Sequence, residues 1–115
     1  MAYVLVHNPS CGSSKKGLAL LQEHGIEPEI RRYTSRAEQL SEAELREIAR
    51  KMGGASPRAF LREKDAEKAG IPADASDDAL FAAMAGNPKL IQRPIGIHGE
   101  KAVLGRPNEA LLEIV

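Results

Sequence analysis

Cysteine is nearly absent from the chain: Cys11 is the only one among 115 residues. An internal disulfide is thereby excluded, and an unpartnered thiol points to a reducing compartment, hence a cytoplasmic protein. Aromatics are scarce too, with no tryptophan, two tyrosines and two phenylalanines, which leaves little surface for stacking bases or sugar rings. Neither sign of charge dominates, since sixteen basic and sixteen acidic residues cancel. Without a polybasic footprint, nucleic acid is not an expected partner. No apolar stretch approaches the roughly 20 residues of a membrane span, and the opening "MAYVLVHNPS" has neither the length nor the basic start of a signal peptide. No membrane partner is expected either.

Chemical motifs are missing as well. Cys11 and the histidines at positions 7, 24 and 98 show none of the paired spacings of a zinc site, so no metal is expected. There is no Gly-x-x-x-x-Gly-Lys loop for phosphates and no Gly-x-Gly-x-x-Gly fingerprint for a dinucleotide. A Cys-x-x-Cys pair is also lacking, because Ser14 stands where a dithiol enzyme carries its second sulfur. Any redox cycle must therefore borrow a thiol from another molecule.

What is present is an ordinary globular composition, 43% apolar, at a length that suits one domain over residues 1–115. "YVLV", Tyr3 to Val6, is a short apolar run that stops at the turn-like "HNPSCG" and predicts a buried strand. "SSKKGLALLQEHG" follows as a helix with Leu18 and Leu21 on one face and Gly25 as its stop. "EIRRY", Glu29 to Tyr33, predicts a second strand parallel to the first. Residues 34–87 read as a helical insertion without a convincing strand. Ser41 and Glu44 there form a capping box, Ser56 and Pro57 open a helix over "SPRAFLRE", and "SDDALFAAMAGNP" predicts another. "PIGI", Pro94 to Ile97, and "AVL", Ala102 to Leu104, flank the hairpin turn "HGEK", and an amphipathic helix runs from about Asn108 through Leu111, Leu112 and Ile114. The order is βαβ, helical insertion, ββα. Periodicity supports the α/β class.

This arrangement places Cys11 at the start of a helix. Unpaired backbone N–H groups and the positive end of the helix dipole then face the sulfur and favour a thiolate. Lys15, Lys16, Ser13 and Ser14 lie within about one turn, and such surroundings bring a cysteine from about 8.5 into roughly the 3.5–7.5 range. The same N–H groups, from Gly12 onward, suit an oxyanion. Free cysteines are often buried and inert, but "NPSCGSS" is polar and turn-like rather than part of an apolar stripe. His7 has two readings, a residue that tunes the thiol by hydrogen bonding or a satisfied structural histidine at a strand end. His24 and His98 read as helix-end and turn residues.

Together, "HNPSCGSSKKGLALL", "FLREK" and "LIQRPIGI…VLGRP" resemble the glutaredoxin-coupled arsenate reductases, from about residue 3 to the C-terminus. The resemblance implies a thioredoxin-like fold with a helical insertion and a mixed sheet. It implies that Cys11 is the nucleophile, that His7 and Ser14 keep its pKa low, and that Arg62, Arg93 and Arg106 hold the oxyanion and later intermediates. It also implies that Pro94 is a cis-proline set against the cysteine. The partners that follow are arsenate or a similar oxyanion, glutathione as cosubstrate, and glutaredoxin, with no bound cofactor. Guanidinium forks suit a tetrahedral polyanion because they bind its oxygens bidentately and stay charged.

Two other functions fit parts of the pattern. A glutathione-dependent thiol-disulfide reductase of the same fold would use the same cysteine and turn the arginines toward glutathione carboxylates. A redox-sensing transcriptional regulator that binds RNA polymerase would share the fold, but such proteins commonly carry the Cys-x-x-Cys pair that Ser14 breaks.

Overall fold

A strand covered on both faces must be apolar on both, and Tyr3–Val6 is such a strand. In the computed structural model, which describes residues 2–115, it forms β1, the second strand of a four-stranded sheet. The remaining strands are β2 (Glu29–Arg31), β3 (Ile95–His98) and β4 (Lys101–Leu104), in the order β2-β1-β3-β4. β1 runs parallel to β2, with Leu5 opposite Ile30, and antiparallel to β3, with Leu5 opposite Gly96. β3 and β4 form an antiparallel hairpin turned at Gly99, whose φ of +60° is the left-handed conformation that glycine adopts without steric cost.

Side chains of β1 point alternately to two cores. Tyr3 and Leu5 join Leu21 and Leu111 on one face; Val6 joins Ile95, Phe60, Leu45, Leu80 and Met84 on the other. The first face is covered by α1 (Gly12–Glu23) and a 3₁₀ segment, Asn108–Ile114. The second is covered by α2 (Glu42–Lys51) and α4 (Asp77–Gly86), so the insertion supplies a whole layer of the molecule. Each of these fully buried aliphatic side chains contributes roughly 1.5–3 kcal/mol. The layers and the mixed sheet are those of the thioredoxin-like plan with its helical insertion. The helix starts follow local chemistry: Ser41 and Glu44 close the capping box of α2 reciprocally, and Ser76 caps α4.

Four boundaries differ from expectation. β2 ends at Arg31 rather than Tyr33, because Tyr33 N–H turns back to Arg31 O at 3.0 Å and Ser35 N–H to Arg32 O at 2.9 Å. β3 begins after Pro94, which has no N–H for the ladder, and runs on to His98, so the hairpin turn shortens to Gly99–Glu100 and Lys101 joins β4. "SPRAFLRE" divides into a 3₁₀ turn, Pro57–Phe60, and α3 (Glu63–Lys68), because Leu61 between them is extended and bridges antiparallel to Ile91. The C-terminal segment is 3₁₀ rather than α; its three-residue period sets Leu111 and Ile114 on one side, toward the core of Tyr3 and Leu5. Among the described residues no helix is long and apolar enough to cross a membrane.

Candidate active site

The chain leaves β1 through a loop whose polar groups close on one another. Asn8 Oδ1 accepts from Ser10 N–H at 3.0 Å and Asn8 O accepts from Cys11 N–H at 3.0 Å, which folds "NPSC" into a turn. Asn8 N–H donates to Ser14 Oγ at 3.0 Å, and that hydroxyl lies 2.8 Å from His7 Nδ1. Ser14 is fully buried and His7 is 5% exposed, so both need these partners. Burial, then the charges of Arg32 and Lys15, lower the His7 pKa from its ordinary 6.5 against the opposing Ser14 hydrogen bond. The ring is consequently neutral at pH 7. Within the loop its polar contact is with Ser14.

Cys11 is the N-cap of α1, half-buried, with its carbonyl accepting from Lys15 N–H at 3.0 Å. No side-chain cap bond closes there. Burial alone pushes its thiol pKa up; the N–H of Ser14, the Arg93 guanidinium and the N–H of Ser13 outweigh that and bring it below the ordinary value. The thiolate is favoured by oriented N–H dipoles and one nearby cation. Gly12 opens the helix with open space where a side chain would be, Ser13 O accepts from Asn108 Nδ2 at 3.0 Å, and Lys15 is exposed.

Arg93 precedes a cis peptide bond to Pro94. Its guanidinium faces both Cys11 and Tyr33, and its Nε is buried with no hydrogen-bond acceptor among the described residues. Two long-range ties bring the other arginines to it. Gly105 N–H donates to Pro94 O at 2.8 Å, which sets Arg106 beside Arg93, and Arg106 Nε donates to Arg93 O at 2.9 Å. On the other side Gln92 N–H donates to Phe60 O at 2.8 Å and Arg62 N–H to Leu90 O at 2.7 Å, which delivers Arg62 from the insertion. Arg62 pairs with Asp65 at 2.8 Å and lines two adjoining clefts of about 240 and 310 Å³, one shared with Arg93 and Tyr33, the other with Arg106. Glu63 and Lys64 beside it are exposed helix charges.

Sequence reading passed over Tyr33 and Asn108. The signal for Tyr33 was its place just beyond the carboxyl end of β2, next to the end of β1 that carries Cys11, since sites collect at such strand ends. Asn108 had no comparable signal: its side chain ties Ser13 O to Gly105 O, two segments far apart in the chain. Among the described residues no three His, Cys, Asp or Glu side chains converge as metal ligands.

Comparison with known proteins bears on this geometry. An arsenate reductase of Haemophilus influenzae is 41% identical over 118 residues and covers 100% of both chains. The uncharacterized protein YfgD of Escherichia coli is 42% identical, covering 96% of this chain and 94% of its own. A solved structure described as arsenate reductase from Vibrio cholerae superposes with a TM-score of 0.87 at 42% identity, covering 100% of this chain and 98% of that one. The family model for the ArsC family matches residues 6–114, and with the fold and these relatives in agreement, the chain belongs to the ArsC family.

Proposed function

We propose that the protein is an arsenate reductase that works through a covalent Cys11–arsenic bond, with glutathione and glutaredoxin as the source of electrons. One observation carries this reading: a thiol of depressed pKa faces a guanidinium whose buried Nε–H has no acceptor among the described residues. A buried donor left unpaired costs free energy, and an oxyanion approaching Cys11 satisfies it. Nucleophile and anion donor thus meet at one point. The relatives named arsenate reductase narrow the oxyanion to arsenate.

In this reading Cys11 is the nucleophile, and Arg93, Arg62 and Arg106 hold the anion's oxygens and the charge that develops on them. Gly12, Ser13, Ser14 and Lys15 form the helix-terminal loop that receives the anion, His7 fixes Ser14, and Pro94 supports the site from β3. The Cys11 thiolate displaces hydroxide or water from As(V), giving a Cys–S–As(V) ester without redox change. Glutathione thiolate displaces a second oxygen. A glutaredoxin thiolate then attacks the glutathione sulfur; the S–As bond electrons stay on arsenic, which becomes As(III), while the two sulfurs form a mixed disulfide. Water cleaves the remaining Cys11–arsenic bond, arsenite leaves and the thiol returns. No resident metal or nucleotide takes part, and the cycle suits the reducing cytoplasm.

The test is arsenate-dependent NADPH oxidation with glutathione, glutaredoxin and glutathione reductase. Wild type turns over only with arsenate, glutathione and glutaredoxin all present, and Cys11→Ser stays at background. Oxidation that proceeds with a glutathione mixed disulfide but not with arsenate overturns this reading in favour of a thiol-disulfide reductase.

A further inference from the structure

Tyr33 carries a hydroxyl that packing does not explain. The residue is 1% exposed, within the core that includes Val6, Phe60 and Ile91. A phenylalanine would fill the same volume without burying a polar atom, and a buried hydroxyl costs free energy unless it is well paired. Its one hydrogen bond among the described residues runs to Ile91 O at 3.4 Å, well beyond the usual 2.5–3.0 Å of an O–H···O bond. The lone pairs of the phenol oxygen are left free, and they can accept from a guanidinium. Tyr33 and Arg93 line the same cleft, and the guanidinium is near enough to act on both the phenol and the Cys11 thiol.

We propose that Tyr33 is a positioning residue: its hydroxyl accepts from the Arg93 guanidinium and holds that cation against the Cys11 sulfur. An arginine side chain has several rotatable bonds, and a guanidinium bound at one end only swings among rotamers. Arg93 has no carboxylate partner among the described residues to restrain it, in contrast to Arg62 with Asp65 or Arg31 with Glu44. A neutral acceptor serves better than a carboxylate here, because it orients the cation without cancelling the charge that Cys11 or a bound oxyanion needs. Burial raises the Tyr33 pKa above 10.0, so the phenol stays neutral across the working range. Strand topology sets the pair in place: the chain turns back beyond β2 at Tyr33, next to the carboxyl end of β1 from which the Cys11 loop departs.

The role of Tyr33 deepens the reductase reading and rests on the same site, but its test needs no arsenate. The rate of Cys11 alkylation by iodoacetamide is measured against pH for wild type, Tyr33→Phe, Arg93→Ala and the double variant. The control is Tyr3→Phe, which removes a buried hydroxyl bonded to Leu111 O at 2.7 Å on the opposite face of the sheet. The other groups around the site are unaltered throughout: His7 on its loop, Lys15 on α1, Arg32 beside Tyr33 and Arg106 after β4. The Tyr33→Phe midpoint is expected to move up by about half a pH unit, the size of one modest hydrogen bond. Tyr3→Phe leaves the midpoint in place, and the double variant matches Arg93→Ala, because Tyr33 acts through Arg93. A Tyr33→Phe profile that superposes on wild type overturns the proposal, as does an equal shift in Tyr3→Phe or an additive double variant. If Tyr33→Phe behaves as expected while wild type fails to reduce arsenate, the positioning role stands and the substrate assignment falls.

Discussion

At the scale of single residues, the site is a balance between burial and charge on Cys11. Burial alone would protonate the sulfur; the Ser14 and Ser13 amides and the Arg93 guanidinium reverse that. Only Arg93 can be removed by substitution without touching the backbone, so it is the residue on which the balance is tested. The sign follows from the shift: the thiolate is the nucleophile, and below the thiol pKa its fraction falls tenfold for each unit by which that pKa rises. Arg93→Ala is therefore expected to raise the alkylation midpoint of Cys11 by roughly one unit. Below the wild-type midpoint it slows the reaction about tenfold, with the rates converging above the new midpoint. A kinetic pH profile with a neutral alkylating agent measures this. A profile that does not move would assign the low pKa to the helix amides alone.

At the scale of elements, the local codes predicted α2 and α4 well because their starts are chemical. The capping box of Ser41 and Glu44 and the cap at Ser76 each satisfy N–H groups within a few residues, so they were legible in sequence. The split of "SPRAFLRE" and the 3₁₀ form of Asn108–Ile114 were not. Each is decided by partners distant in the chain: Leu61 is extended because Ile91 pairs with it, and Leu111 seats against the cis-Pro94 side of the sheet. The motif "GRP" shows the same division. Its arginine could be read as an anion ligand only through the family resemblance, and the reason for its glycine lies in packing. A Cβ on Gly105 would come 2.9 Å from both Leu111 Cγ and Pro94 Cγ, neither of which can swing aside. Gly105→Ala is expected to destabilise the fold by about 1–3 kcal/mol, read as a lower denaturation midpoint at unchanged m-value. Because Gly105 N–H holds Pro94 O, it should also weaken anion binding through displaced Arg106. A variant as stable as wild type would show that the contact relaxes.

At the scale of the whole molecule, the fold brings a helix start, a strand end and an inserted layer to one corner. Cys11 comes from α1, Arg93 and Pro94 from the entry to β3, Arg106 from the exit of β4, and Arg62 from the insertion by way of the Leu61–Ile91 bridge. The sequence made the thiol and its helix legible, because both are local. It offered the arginines only through resemblance, since nothing local distinguishes Arg62 or Arg106 from the surface arginines Arg46 and Arg50. Tyr33 and Asn108 stayed hidden because the contacts they make exist only once the sheet is assembled. The central claim is that thiolate and oxyanion share this corner, and it can be tested apart from any reductant. The measurement is the alkylation rate of Cys11 in wild type and Arg93→Ala as arsenate is raised into the millimolar range at constant ionic strength. Saturable protection in wild type, lost or much weakened in Arg93→Ala, is the result expected. A Cys11 that alkylates at the same rate at every arsenate concentration would contradict it.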